Sequence, residues 1–185
     1  MKRTNILTGL LFLFLSSCAA KTLDGGSTGD TTGAGTGAPA DIAQTPVAGK
    51  AGGKVFEAKT IDIQYSNKNA QWFLSFDNYE NDCGTYPGTR PDPAEAMTIT
   101  VGAVQPAAGT YSIKYADGHG ATFQIGVYEA KDNVKPDTRP VQTGTLQFDT
   151  WDETAGASVT GAIKLVADDD SVIEGTFTAK VCPAR

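Results

Sequence analysis

The residues able to carry chemistry are few and thinly grouped. His119 is the single histidine of the 185-residue chain. It stands between glycines in Asp117-Gly118-His119-Gly120, a spacing that reads as a hairpin turn, with no neighbour fixed as the orienting partner a catalytic imidazole needs. Neither Ser-x-x-Lys nor His-Glu-x-x-His occurs, so no nucleophile or zinc motif emerges. Asp168-Asp169-Asp170 offers the hard oxygen ligands that calcium takes. The alternating ligands, central glycine and distant glutamate of an EF-hand are out of register there, and a solvated turn fits better. Glu80 and Asp82, beside Asn78 and Asn81, read the same way. No catalytic residue, metal ligand or cofactor is assigned on this basis. Two carboxylates brought together by the fold would suit glycoside hydrolysis, and that alternative stays open without named acids.

Recognition chemistry has better candidates. The loop from Asn78 to Glu95 carries Tyr79, Tyr86, Arg90 and three prolines, Pro87, Pro91 and Pro93, next to Cys83. Loops of this length are uncommon in compact domains and are frequently functional. A second connection, Lys131 to Pro140, repeats the tripeptide Thr89-Arg90-Pro91 as Thr138-Arg139-Pro140. Both read as extended, polyproline-like connections. Tyr and Arg are favoured at interfaces, so Tyr86, Arg90 and Arg139 are the candidate partner-binding residues. Trp151 joins them: it is out of phase with Phe148 and lies beside Asp152 and Glu153. An exposed ring there would stack on sugar or peptide, whereas an edge-packing role would bury it.

The first residues read as an address. Lys2 and Arg3 precede an apolar run from Ile6 to Leu15, the layout of a secretory signal peptide and too short for a permanent span. The run ends in Leu15-Ser16-Ser17-Cys18, which resembles the lipobox of bacterial lipid-anchored lipoproteins. That resemblance implies residues 1–17 as the signal peptide and an acylated Cys18 as the first mature residue. Ala19, in place of Asp, resembles lipoproteins sorted to the outer membrane. With Cys18 assigned to lipid, Cys83 and Cys182 remain. An even remainder in an exported chain favours one disulfide. It would close a loop of about 100 residues, worth at most about 4.7 kcal/mol on the chain-entropy account, and pin the last strand.

These groups need elements to position them. Residues 18–53 follow the signal as a tether. From Ala19 to Gly53 the chain has nine Gly, eight Ala, six Thr and no aromatic residue. Such a stretch buries too little to offset its ordering entropy, and it reads as a disordered linker reaching about 30–35 Å. Glycine spacings between Thr28 and Gly37 resemble phosphate loops but lack the Gly-Lys-Ser/Thr ending.

From Lys54 onward the period becomes two. Ile61, Ile63 and Tyr65; Trp72, Leu74 and Phe76; Met97, Ile99 and Val101; and Tyr111, Ile113 and Tyr115 each alternate with polar neighbours. Phe123, Ile125 and Val127, then Leu146 and Phe148, Ile163 and Leu165, and Ile173, Phe177 and Val181 continue the pattern. About eight half-buried strands follow from this. The expected fold of residues 54–185 is all-β, an antiparallel β-sandwich, with a small closed barrel as the alternative.

Charge narrows the partner. Fifteen Lys and Arg against 21 Asp and Glu leave −6, the wrong sign for binding phosphate backbones, so nucleic acid is excluded as a class. The expectation is a lipid-anchored module of the bacterial cell envelope, held to the membrane by its lipid. It would bind or support an envelope protein or glycan without catalysis. A carboxylate-dependent hydrolase on envelope polysaccharide, or a barrel holding an apolar ligand, are the alternatives.

Overall fold

The computed structural model describes residues 41–85, 87, 92, 94–114, 120–126 and 136–185. Every regular element among them is a strand. In chain order these are β1 (Ala48–Ala51), β2 (Lys54–Glu57), β3 (Thr60–Ser66), β4 (Gln71–Asp77), β5 (Met97–Val104) and β6 (Gly109–Ile113). Then come β7 (Ala121–Ile125), β8 (Asp137–Pro140), β9 (Thr143–Phe148), β10 (Ser158–Asp168) and β11 (Ser171–Val181). The fold is all-β, as the period-two pattern predicts. All eleven strands belong to one hydrogen-bonded sheet in the order β6-β9-β10-β11-β3-β4-β5-β7-β8, with β1 paired to β11 and β2 to β1.

The alternation sorts the two faces. Ile63, Leu74, Ile99, Val101, Phe123, Ile163, Leu165 and Ile173 are all fully buried and belong to one core cluster. Their neighbours Thr60, Asp62, Ser75, Thr98, Thr100 and Thr122 take the other face, because successive side chains of a strand point oppositely. β10 and β11 form the longest pair, eleven residues each. Their turn is the Asp168–Ser171 segment expected from sequence, where Asp168 Oδ1 accepts from the Asp170 amide at 3.0 Å.

Two features sit where the sequence pattern was silent. The first is the N-terminal boundary. The sheet does not begin at Lys54: Ile42, Val47 and Ala51 are buried, and β1 runs antiparallel to β11, with Ala48 opposite Glu174. Glycine content, read as flexibility over the whole tether, here serves close approach. A Cβ on Gly49 would stand 2.1 Å from the Val172 carbonyl oxygen, and one on Gly175 2.5 Å from that of Thr45. Residues 41–53 are therefore folded, and the first 40 residues of the tether and signal lie outside the described residues.

The second is β8. Asp137–Pro140 is extended, as a polyproline-like reading requires, but it pairs with β7 from Thr122↔Pro140 to Ile125↔Asp137. Pro is tolerated there because, among the described strands, β8 has a partner on one side only. Two residues later the chain changes sides: the Val141 amide donates to Ala121 O at 2.8 Å and the Gln142 amide to Val166 O at 2.9 Å. One nearly continuous segment thus serves β7 with its first half and β10 with its second.

Cys83 and Cys182 are joined, with Cα atoms 5.5 Å apart and a separation of 99 positions in sequence. The bridge ties the start of the Asn78–Glu95 loop to the residue after β11.

Candidate functional site

Strand β5 carries a break in phase. Met97, Ile99 and Val101 are buried at odd positions, yet the next buried apolar residue is Val104. Opposite it, Trp72 pairs with Val104 and Phe73 with Gly102, so Ala103 is the extra residue of a β-bulge. Ala103 has φ of 53°, a left-handed conformation that costs a residue with a Cβ about 1–2 kcal/mol. Beyond the bulge, β5 and β6 are not hydrogen-bonded neighbours, and a cleft of about 430 Å³ lies between them.

The cleft has an apolar base and a neutral polar rim. Val104, Ile113 and Leu146 are buried at its base. Gln105, Thr110 and Ser112 are exposed around it. Tyr111 forms one wall, half-buried, and its hydroxyl donates to Ala107 O at 2.9 Å, which fixes the ring. None of the described lining residues is Asp, Glu, Lys, Arg or His.

A run of rings leads away from this wall. Tyr111 meets Phe148 at 6.1 Å, Phe148 meets Trp151 at 4.9 Å, Trp151 meets Trp72 at 5.6 Å, and Trp72 meets Tyr65 at 5.2 Å between centroids. Most of these are edge-to-face, the arrangement the ring quadrupole favours. Phe148 is buried, whereas Tyr65, Trp72, Tyr111 and Trp151 remain half-buried. Trp151 therefore packs against the core rather than standing free beside Asp152. Among the described residues its buried indole Nε1 has no hydrogen-bond partner, a cost of about 1–3 kcal/mol that the ring contacts must outweigh.

A second, acidic group lies at the far end of β4. Asp77 is 2% exposed. Its Oδ1 accepts from Thr98 Oγ1 at 2.6 Å and its Oδ2 from Asn81 Nδ2 at 2.9 Å. Tyr79 Oη lies 2.9 Å from the same Thr98 oxygen, and the Asn81 amide donates to Thr60 Oγ1 at 2.9 Å. The first part of the Asn78–Glu95 loop is thereby laid against β3, β4 and β5. Asp62 is half-buried in this patch. Burial pushes its carboxyl up to about 6, the charge on Asp77 adds to the rise, and the Arg185 guanidinium opposes it. Asp82, at the loop's edge, pairs with Lys180 at 2.6 Å.

The residues singled out from sequence fall in different places. Arg139 is held by its own domain: its Nη2 and Nε meet Asp137 Oδ2 at 2.9 and 3.0 Å, and its Nη1 meets Asp168 Oδ2 at 3.0 Å. Its side chain is thus occupied in joining β8 to the β10–β11 turn. Tyr86, Arg90, His119 and Cys18 lie outside the described residues. Of the named partner-binding candidates, the described residues include Trp151, set in the aromatic run, and Arg139, held by Asp137 and Asp168, with no contact given between the two. Sequence reading missed Gln105, Tyr111 and the Ala103 bulge. The legible signal was the parity switch between Val101 and Val104. The Asp62–Asp77 pair was missed because each acid alone sits at an ordinary outward position of its strand.

A second cleft, also about 430 Å³, opens beside β11, with Val47, Ile61 and Phe177 at its base and Thr160, Thr176 and Thr178 on its wall. Asp149 is the one carboxylate among its described lining residues. Among the described residues, no three His, Cys, Asp or Glu side chains gather as a metal site, and no helix is long and apolar enough to cross a membrane. The chain matches no protein-family model, no curated protein and no solved structure.

Proposed function

We propose that the chain is a lipid-anchored lipoprotein of the bacterial envelope whose β domain is a non-catalytic binding module for another envelope component. The observation that carries the binding reading is the β5–β6 cleft, a concave site with an apolar base and a neutral rim beside half-buried rings. Ligand sites commonly combine such a volume and lining. Glycoside hydrolysis needs two carboxylates facing one another across a substrate, and neither larger cleft has such a pair among its described lining residues. That supports the non-catalytic reading over the hydrolase. The anchor rests on Leu15-Ser16-Ser17-Cys18, and the Cys83–Cys182 bridge is in keeping with an oxidising compartment outside the cytoplasm. Two or three acyl chains on Cys18 would hold the protein durably, where one would not. The outer membrane is the membrane we favour.

Between sandwich and barrel, we favour the barrel. A single sheet supports it, as does the β8–β9 segment that turns from β7 to β10. Arg139, spanning from β8 to Asp168, adds a side-chain tie in the same direction.

Capture from the organism's own envelope tests the function. Full-length protein is expected to retain an envelope protein or glycan, and a Thr110→Trp variant, which fills the cleft, is expected to lose it. Equal capture by both would remove the cleft from the reading, and no capture by either would remove the reading itself. Cys18→Ala should abolish labelling by a fatty-acid analogue; persistent labelling would defeat the anchor.

A further inference from the structure

We infer that the β5–β6 cleft binds an uncharged saccharide. This rests on the reading of the domain as a binding module and names the ligand class for that module. What the walls lack restricts the ligand. A charged ligand would shed hydration on entering, and no described lining residue offers a counter-charge to offset that loss. Nor does a wholly apolar ligand fit, because it would strip water from Gln105, Thr110 and Ser112 while giving them no partner. A neutral sugar ring meets both demands. Its C–H face suits Val104, Ile113 and the Tyr111 ring, and its hydroxyls suit the amide and hydroxyl rim.

Preorganisation points to the same place. The Tyr111 hydroxyl is tied to Ala107 O, so the ring is already oriented and little conformational entropy is lost on contact. Ala103 keeps a left-handed backbone where glycine would relieve it. Strain of that kind persists when the surroundings hold it, and it is frequent at ligand sites. The bulge it forms is what carries the end of β5 past the ladder, and the wall of the cleft is built from it.

The test is calorimetric titration of the detergent-solubilised full chain with two sets of oligosaccharides. One set is neutral, made of gluco-, manno-, galacto-, xylo- and N-acetylglucosamine oligomers. The other is charged, made of oligogalacturonates and sulfated oligomers. Binding of a neutral oligomer is expected, weakened about tenfold or more by Thr110→Trp and severalfold by Gln105→Ala, as loss of one or two hydrogen bonds implies. Both positions are exposed, and an unchanged melting temperature separates lost binding from lost folding. Asp62→Asn, remote from the cleft, should leave the affinity as it is. The inference is overturned if no neutral oligomer binds, if only charged ones do, or if Thr110→Trp binds as tightly as the parent. Where envelope capture depends on the cleft but retains a protein, the saccharide falls and the binding module stands. Where nothing is captured and nothing binds, both fall.

Discussion

Strand β4 joins two regions of opposite design. It carries Trp72, in the neutral aromatic run, near its start and ends at Asp77, beneath the loop clamped by the disulfide. At the Trp72 end, polar capacity is left over: among the described residues Trp151 Nε1 has no partner, and Gln105 and Thr110 face solvent. At the Asp77 end, both carboxylate oxygens are occupied by Thr98 and Asn81, and the covalent bridge lies at the edge of the patch. One small sheet thus divides its labour. Groups already saturated by their own chain hold the fold, whereas groups with spare capacity on rigid strands are the ones a ligand can use.

The contrast is broken most forcefully at the clamped end. Cys83→Ser with Cys182→Ser removes a crosslink spanning 99 residues in sequence, and the unfolding free energy is expected to fall by up to about 4.7 kcal/mol. Urea unfolding of the double variant beside the parent measures this, and a change below about 1 kcal/mol would show that the loop is held by its other contacts. Asp77→Ala comes next. It leaves the Thr98 hydroxyl and the Asn81 amide without their acceptor, for a loss of about 2 kcal/mol. In both variants saccharide titrations are expected to match the parent wherever the protein is folded; a parallel loss of binding would mean that the two ends are not independent.

These ends were not equally legible in the sequence. Period-two alternation located the apolar face because burial acts on each strand separately, residue by residue. It therefore found Ile63, Leu74 and Phe123, and it placed the Asp168–Ser171 turn correctly. It missed β1 because Val47 and Ala51 are short apolar positions diluted in a run of Gly, Ala and Thr, and the close approach at Gly49 is a property of two chains together. It missed β8 because extended Pro-flanked chain looks alike whether or not β7 lies beside it. Arg139 stood out by residue type, but whether a guanidinium is free depends on Asp168, 29 residues away. The even cysteine count after Cys18, by contrast, sufficed for the bridge, since parity needs no geometry.

The two ends also differ in their response to pH. Asp62 has a folded-state value of about 6 against an ordinary 3.8. The folded protein therefore holds this proton more tightly than the unfolded chain. Stability from this group is greatest below pH 4, falls as pH rises from about 4 through about 6, and is lowest above. After discounting for solvent that reaches a half-buried group, the change amounts to about 1–2 kcal/mol. Asp62→Asn should flatten the melting temperature between pH 4 and 7, while the neutral cleft should bind saccharide equally across that range. A parent melting curve that rises with pH over this interval would reverse the sign and refute the assignment.

The smallest effect is the most pointed, because it runs the other way. Ala103→Gly removes the Cβ that makes a φ of 53° unfavourable, a relief of about 1–2 kcal/mol. Glycine also gives the unfolded chain more freedom, which takes back about 0.5–1 kcal/mol. A net gain of up to about 1.5 kcal/mol is expected, visible as a small rise in the urea midpoint. If the bulge shapes the cleft wall, the freer backbone should weaken saccharide binding severalfold even as the protein becomes more stable. At the Asp77 end Cys83 has a similar φ of 51°, but there the residue is held by its disulfide to Cys182 rather than bordering a cleft. A variant that gained stability and kept full affinity would show that the strain at Ala103 serves neither the fold nor the ligand.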